Sequence, residues 1–529
     1  MTTAVSTPAP MPVPGAAISA SPRPALAVAA LLVGSFLVGF DTRLFAIGLP
    51  DLRGAFGLSF DQGAWLNTFA TAPQIFIAPA VAWLASVFGV RRVLFWPSLV
   101  YAAVSLVIPL IRNWDALVVL HIIRGLLLGV FIPATIMIIF RNLPQRWWVP
   151  AIAVYAFRLA FSQNTGLMLV GFYVETPGWQ FVYWQDVIVA PVIGILALYG
   201  TPRMTIDYKL LGSADWGGMA LLGTGWALIY AGLDQGNRLD WTASGLVTSL
   251  LVAGGVLVAG FFLNEALVRE PWASHKVILS RNVGLGFLAI LCFTTTSLSN
   301  GQLVPGFSTV VSALRPEEIG GPMFLATALP LLLTMPLAVV CLRLFDARLS
   351  MIVGFVAFAV AGWVGTTINH DWSPSTFMPM GLVQSVGQAF TFLATIIVIL
   401  ANSDPKKATA IAAYIQVLRL GGAEIATTLM TTWLRHREQL HSYLLGLHVP
   451  STSSIVDNAL HASTVPFMGG STGEIAERGL VTLNGIVARE ANVLSYIDGF
   501  QVTFWAAIAG LVVVALLKPA PVGPLSPRY

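Results

Sequence analysis

Fourteen apolar stretches run through this 529-residue sequence and constrain its fold more than any other feature. A helix rises 1.5 Å per residue, so about 20 apolar residues cross the hydrocarbon core of a bilayer. Because lipid offers the backbone no hydrogen-bonding partner, each span must be helical. The predicted spans are 25–49, 64–87, 93–111, 116–140, 149–173, 181–200, 215–233, 243–264, 283–311, 321–343, 349–368, 376–401, 407–434 and 500–517.

Composition supports an all-α polytopic membrane protein and excludes other classes. Charged residues make up 10% of the chain, hydrophobic residues make up 56%, and the mean hydropathy is +0.79. A soluble domain carries about 25% charged residues, so a cytosolic enzyme and a disordered chain are both excluded. The net charge of +4 is too small for a basic nucleic-acid surface. We therefore expect no nucleic-acid partner.

The distribution of lysine and arginine predicts that both termini are cytoplasmic. With that orientation, the inner connections and tails carry 16 of these residues, including all five lysines, and the outer loops carry 8. Positively charged side chains favour the cytoplasmic side of a membrane. We therefore predict an inner-membrane, multi-pass protein with cytoplasmic tails at 1–24 and 518–529. The first tail lacks the basic region that opens a signal peptide.

One polar connection, 435–499, is much longer than the others. No proline interrupts residues 407–447, so one helix can continue outward from the thirteenth span. Apolar residues at helical spacing also lead into the last span: Ile475, Leu480, Leu483, Val487 and Leu494. We expect an outward helical hairpin with its tip at 448–471. The alternative is an irregular polar loop.

Several ionisable residues lie inside the predicted spans, where each costs about 3 kcal/mol if it faces lipid. They are Asp41, Arg43, His121, Arg124, Arg158, Arg419 and Glu424. They must therefore pair with one another or line an aqueous path. We predict proton-coupling roles for Asp41, Glu424 and His121, which lie at similar depths below the outer surface. The alternative is a set of static ion pairs that hold helices in register.

The arginines and several amides are the candidate substrate-binding or gating residues. The predicted set is Arg43, Arg124, Arg158, Arg419, Gln163, Asn164, Asn300, Gln384 and Gln388. For each amide the alternative is a hydrogen bond between helices. The sequence contains no G-x-S-x-G, H-E-x-x-H or phosphate-binding loop, and His436 and His441 are spaced wrongly for one helical face. We therefore predict no enzyme, metal site or cofactor.

Six short segments carry a family resemblance. The segment Asp41–Pro50 is similar to L-D-x-T-x-x-N-x-A-L-P, with Arg43 in place of threonine. Ala82–Arg92 is similar to G-x-L-A-D-R-x-G-R-R, with Ser86 and Val87 in place of Asp-Arg. The others are the glycines and proline at Gly125, Gly129 and Pro133, and the segments 166–171, 179–186 and 418–422. Together they resemble the fourteen-span drug:proton antiporters of the major facilitator superfamily, EmrB type.

The resemblance implies a domain organisation and partners. Two pseudo-symmetric six-helix bundles would occupy 25–200 and 283–517, the second including the outer extension 435–499. Two inserted helices with their linkers would occupy 201–282. Transport would proceed by alternating access around a site near the midplane. The implied partners are a small-molecule substrate, protons, a periplasmic adaptor protein and an outer-membrane channel.

We predict proton-coupled efflux of amphiphilic small molecules across the inner membrane. Four arginines against two acids within the spans favour lipophilic weak acids over lipophilic cations. A narrow-specificity metabolite exporter and a proton-coupled importer of the same superfamily remain open alternatives. A transport-dead membrane sensor is a more distant one.

Overall fold

The computed structural model describes residues 23–519 apart from 145–146, 269–270, 404–406 and most of 450–471. All regular structure in these residues is helical, as predicted. The helices are α1 Pro24–Phe56, α2 Phe60–Phe88, α3 Val90–Val107, α4 Trp114–Asn142, α5 Trp148–Glu175, α6 Phe181–Gly200, α7 Tyr208–Gly212, α8 Trp216–Gly236, α9 Gly245–Leu267, α10 Arg281–Leu298, α11 Val304–Val310, α12 Pro316–Met323, α13 Leu331–Leu344, α14 Ala347–Gly365, α15 Met378–Ala401, α16 Ala408–Gly446 and α17 Thr472–Leu516.

Eleven helical segments within the described residues are long and apolar enough to cross a membrane. Two of them combine neighbouring helices, α10 with α11 and α12 with α13. Helices α5, α8 and α16 are of comparable length but are not among the eleven. The polytopic helical class is therefore confirmed, and the count of fourteen spans stays a prediction.

Local sequence signals set the turn between the first two helices. Helix α1 begins at Pro24, where the missing N–H costs nothing. Gly57 caps the C-terminus of α1, and its φ of 68° is the left-handed conformation that glycine adopts without strain. Ser59 then caps α2 by accepting from the backbone N–H of Gln62, and the Gln62 side chain accepts from the N–H of Ser59.

The first six helices pack as one group, with α1 against α5 and α6, α2 against α4, and α3 against α6. Small residues bring two of these helices very close. A Cβ built on Gly125 of α4 would lie 2.3 Å from the carbonyl oxygen of Ala70 in α2, and one on Gly129 would lie 2.7 Å from that of Gln74. Glycine at these positions therefore allows backbone contact between α2 and α4.

The later helices form a second group, in which α14 packs against α15 and α17, and α10 packs against α15, α16 and α17. The ninth and tenth predicted spans are not regular α-helices, because π-helical segments at Ser299–Leu303 and Phe324–Ala328 interrupt them. Pro305 and Pro330 follow the two segments closely, and a proline cannot donate the usual helix hydrogen bond.

Helix α8 lies where the two groups meet. It packs against α9, against α2 of the first group and against α16 of the second group. The indole ring of Trp226 in α8 lies so close to Gly421 of α16 that a Cβ there would be 2.8 Å from it. Helix α9 packs mainly on α8. Only 17% of its most apolar 18-residue stretch is buried inside the protein.

The two long helices of the predicted hairpin are present, and their outward direction stays a prediction. Helix α16 continues without a break for 39 residues, and α17 runs for 45 residues into the last apolar segment. Asp498 of α17 accepts hydrogen bonds from Arg437 Nε at 2.5 Å and from His441 Nε2 at 2.7 Å, both on α16. The predicted tip at 448–471 lies largely outside the described residues.

The molecule has two opposite faces, the terminal face and the hairpin face. The terminal face is the end where α1 begins and α17 ends; there Gly200 lies against Ala27, and Arg281 Nη2 donates to the carbonyl oxygen of Leu516 at 3.1 Å. The hairpin face is the opposite end, from which α16 and α17 project. The predicted tails lie largely outside the described residues.

Candidate functional site

A buried charge cluster lies inside the first helix group, where four helices each contribute one polar residue. Arg124 of α4 donates through Nη2 to Asp41 of α1 and to Asp186 of α6, the latter at 2.6 Å. Its Nε donates to Ser105 Oγ of α3 at 3.2 Å. The three charged side chains have almost no exposed surface, so their interactions are largely unscreened.

Two tyrosine rings enclose the guanidinium group of Arg124. Its Cζ lies 5.1 Å from the ring centroid of Tyr101 and 5.0 Å from that of Tyr183. Arginine stacks well on aromatic faces and gains more from them when water is excluded. The hydroxyl of Tyr101 also donates to Asp186 Oδ2 at 3.4 Å. The rings therefore fix the position of the guanidinium group while the two carboxylates neutralise it.

His121 extends this cluster by one hydrogen bond. Its Nδ1 donates to the carbonyl oxygen of Leu117 at 2.8 Å, one turn earlier in α4. That bond leaves Nε2 to accept from the hydroxyl of Tyr183 at 3.0 Å. His121 therefore contacts the cluster through Tyr183 rather than through either carboxylate.

The charges in this cluster do not balance when every group is ionised. Asp41 and Asp186 supply two negative charges and Arg124 supplies one positive charge. One oxygen of Asp186, Oδ1, is buried and has no hydrogen-bond partner in the described part of the chain. A buried site with one surplus carboxylate and a free acceptor oxygen can hold one proton and release it when water enters.

Glu424 does not join Asp41, although both lie at similar predicted depths. Glu424 is partly buried on α16 and lies within electrostatic range of Arg43 on α1 and Asp234 on α8. It forms no ion pair within the described residues. Asp41 and Glu424 therefore belong to two separate charge groups, because Asp41 contacts Arg124 of α4 whereas Glu424 lies near Arg43 and Asp234.

Arg158 and Arg419 are buried without an acidic partner among the described residues. Arg158 of α5 is 1% exposed, and its Nε and Nη2 atoms have no hydrogen-bond partner there. Its guanidinium lies 5.0 Å from the ring of Tyr155 and close enough to Arg419 to be repelled by it. Arg419 donates from Nε and Nη2 to Gln416 Oε1, at 3.2 and 3.0 Å. Within the described part of the chain, the two cations are therefore buried without a compensating negative charge.

The predicted amides lie where α5 meets the second helix group. Gln384 of α15 donates to Ser299 Oγ at 2.7 Å, whereas both side-chain polar atoms of Asn300 and of Gln388 lack partners within the described residues. A small cavity of about 50 Å³ separates Asn300 from Arg43. Unsatisfied buried amides are costly, so they favour a polar ligand or water. Gln163 and Asn164 lie outside the part of the chain whose side chains are described.

Sequence reasoning missed two carboxylates. Asp186 ends the segment 179–186 and lies five residues into a predicted span, a depth that could have identified it as buried. The seventh predicted span ends at residue 233 and therefore leaves out Asp234. Helix α8 instead continues to Gly236, and Asp234 accepts from Thr68 Oγ1 and from Asn67 Nδ2, the latter at 3.1 Å.

The fold and the buried charges define a multi-pass helical membrane protein. A model of the Major Facilitator Superfamily matches residues 31–423, and the chain belongs to that superfamily, which indicates a transporter rather than an enzyme. The family resemblance inferred from the short motifs is thereby confirmed.

Curated relatives narrow the resemblance. The chain is 23% identical to the multidrug export protein EmrB of Haemophilus influenzae over 507 residues, covering 93% of this chain and 95% of the relative. It is 22% identical to the fatty acid resistance protein FarB of Neisseria gonorrhoeae, covering 92% and 94%. Among solved structures, the proton:xylose symporter XylE shares the fold, with a TM-score of 0.53 at 13% identity, covering 91% of this chain and 94% of XylE.

Proposed function

We propose that this transporter exports lipophilic weak acids in exchange for protons. The observation that carries the proposal is the pair Arg158 and Arg419, two neighbouring buried cations without a carboxylate partner among the described residues. A buried uncompensated charge is expensive, and a bound carboxylate would offset that cost. Arginine also binds a carboxylate through two parallel hydrogen bonds. The name of the relative FarB agrees with an acidic amphiphile as substrate.

An apolar wall formed by α1 and by α5, the helix that carries Arg158, suits the tail of such a substrate. Phe36 and Phe40 of α1 lie against Phe157 and Phe161 of α5, with ring centroids 5.1–6.3 Å apart within the group. Phe161 also contacts Phe324 in the second π segment, at 6.1 Å. A ligand with its acid group at Arg158 could place its tail along these rings. Burial of apolar tail surface is worth about 25 cal/mol per Å².

The charge cluster of Asp41, Arg124 and Asp186 is the proposed proton site. In the exporting cycle, the cluster would take up a proton from the outside and release it inside. Glu424, close to Arg43 and Asp234, is a second candidate carrier. His121 would act on the first site only through Tyr183.

The proposal places the terminal face in the cytoplasm and the hairpin face outside an inner membrane, in agreement with the lysine and arginine distribution. It keeps fourteen spans, with bundles at 25–200 and 283–517 and inserted helices in 201–282. The projecting hairpin would receive a periplasmic adaptor that leads to an outer-membrane channel. The two bundles would rock against each other around the central arginines.

A paired transport assay tests the substrate class. The wild-type chain in inside-out vesicles should accumulate a fatty acid in response to a proton gradient and should transport a quaternary ammonium dye more weakly. Arg158→Gln should reduce acid transport at least tenfold, whereas Arg158→Lys should retain part of it. The matched control Arg343→Gln removes an exposed arginine at the end of α13 and should change nothing. Preferred transport of the dye by the wild type would reject the proposal.

A further inference from the structure

A second cavity lies at the terminal face, away from the central site. It has a volume of about 290 Å³ and lies between the α2–α3 turn, the start of α3 and the end of α6. Three of its lining residues are the arginines Arg91, Arg92 and Arg203, and none of the lining residues that the structure describes is acidic. Its remaining walls are largely apolar and include Phe95, Trp96 and Leu198.

The arginines of this cavity have no carboxylate partner among the described residues. Arg92 donates through Nη1 to the carbonyl oxygens of Phe88 and Met204, at 3.2 and 3.0 Å, and these bonds hold its guanidinium at the cavity. Ser86 stands where the resembling motif has an aspartate, so the turn supplies no acid. The carboxylate of Asp207 on the following linker is used elsewhere, because it accepts from the backbone N–H of Leu210.

Backbone contacts fix the wall of the cavity. Gly89 has a φ of 81°, and a Cβ there would lie 3.2 Å from the side chain of Met204. The N–H of Asp207 donates to the carbonyl oxygen of Val87 at 3.1 Å, which ties the linker to the end of α2. The positions of Arg92 and Arg203 are therefore set by a fixed turn and a tethered linker.

An exposed apolar path leads from the cavity along the helices. Trp96 at the cavity is 62% exposed, and Val100 lies one turn further along α3 at 46%. On the neighbouring helix α6, Ile195 is 50% exposed. Helices α3 and α6 pack side by side, so these residues form one strip that faces lipid. A free anion would use the arginines but not the strip.

We propose that this cavity binds the phosphate headgroup of an anionic phospholipid, with the acyl chains along Trp96, Val100 and Ile195. Basic cavities between membrane helices at the cytoplasmic boundary suit such headgroups. Arginine pairs with phosphate through its planar fork of donors. The bound lipid connects the first helix group to the linker that leads to α8. This site does not depend on the identity of the transported substrate.

Lipid retention by the purified full-length chain tests the site. The protein is titrated with phosphatidylglycerol or phosphatidylcholine, and bound lipid is counted by native mass spectrometry. We expect phosphatidylglycerol to bind at least fivefold more tightly than phosphatidylcholine. The double variant Arg91→Gln/Arg203→Gln should abolish that preference. The matched control Arg343→Gln/Lys518→Gln removes two positive charges elsewhere on the terminal face and should keep it.

A second variant and a second probe separate the remaining outcomes. Leu198→Trp fills the cavity without a change of charge and should also reduce phosphatidylglycerol binding at least fivefold. Unchanged binding in both the double variant and Leu198→Trp would overturn the proposal. Inorganic phosphate is titrated alone as well. If it binds as tightly as phosphatidylglycerol, the cavity is a site for a free anion and the lipid assignment fails.

Discussion

Asp41 and Asp186 accept hydrogen bonds from the same nitrogen, Nη2 of Arg124, although they belong to helices at opposite ends of the first helix group's sequence. One guanidinium nitrogen thus contacts both carboxylates. Two carboxylates so close together disfavour the ionisation of both acids at once. Protonation of either acid therefore changes the net charge of the whole cluster. The two acids should therefore behave as one functional unit.

The first prediction concerns this unit. Asp186→Asn should abolish proton-driven transport as completely as Asp41→Asn, because either change leaves one carboxylate neutralised by Arg124 and removes the surplus acid. Both variants should still bind substrate. Proton-driven uptake into inside-out vesicles is the measurement, with Asp61→Asn on the exposed hairpin face as the control. Normal transport by Asp41→Asn would remove the cluster from the coupling mechanism.

The second prediction concerns the stability of the same cluster. Arg124→Gln leaves two buried carboxylates without a cation and should destabilise the protein by about 3–5 kcal/mol. Adding Asp186→Asn removes one of the orphaned charges and should restore part of that loss. Thermal unfolding of the detergent-purified variants is the readout. A double variant no more stable than Arg124→Gln alone would contradict this account.

The third prediction concerns helix packing. Gly125→Ala places a methyl group 2.3 Å from the carbonyl oxygen of Ala70, so α2 and α4 must separate. Forced separation of packed helices costs about 1–3 kcal/mol. Gly255→Ala in α9 is the matched control, because nothing lies within 4 Å of a Cβ there. A lowered melting temperature for Gly125→Ala and none for Gly255→Ala is the expected pair of results.

The fourth prediction concerns selectivity. Arg43 lies near Glu424 and lines the small central cavity beside Asn300. Arg43→Thr leaves Glu424 less compensated, so we expect the ratio of acid to cation transport to fall several-fold. Arg315→Thr, which changes an arginine with 81% side-chain exposure, should not alter the ratio. An unaltered ratio in Arg43→Thr would exclude this arginine from the substrate site.

The fifth prediction concerns the projecting hairpin. Replacing 448–471 by a short Gly-Ser linker should leave membrane insertion and transport in proteoliposomes intact. Resistance of whole cells should fall, because the proposed adaptor would lose its contact surface. Susceptibility of a deletion strain that carries the variant is compared with vesicle transport of the same variant. Equal resistance with and without the segment would argue against an adaptor at this position.

Helical periodicity and the absence of proline were enough to predict α16 and α17 as long continuous helices. Hydropathy also identifies the polytopic class, because the hydropathy of a segment depends only on its local composition. The π segments at 299–303 and 324–328 are not predictable in this way. Mean hydropathy contains no information about the backbone hydrogen bonds near Pro305 and Pro330.

Pairing of the charges depends on contacts between distant segments. The sequence identified Asp41 and Arg124 as buried charges but could not join them to Asp186, which lies 62 residues beyond Arg124. The bond forms only because α1, α3, α4 and α6 pack together. The sequence also gives the depth of Glu424 but not its neighbours Arg43 and Asp234, because depth along a helix does not specify which side chains face it.

The unbroken course of α16 has a mechanical consequence. The helix carries Arg419 at the central site and continues to Gly446. Its 39 residues make a rod of about 58 Å at 1.5 Å per residue, so a tilt of about 10° displaces its far end by about 10 Å. The hydrogen bonds from Arg437 and His441 to Asp498 join the two helices, so α17 would follow such a tilt. A small tilt of α16 near Arg419 would thus be magnified along the helix, and a spin label at Gly446 would register the displacement.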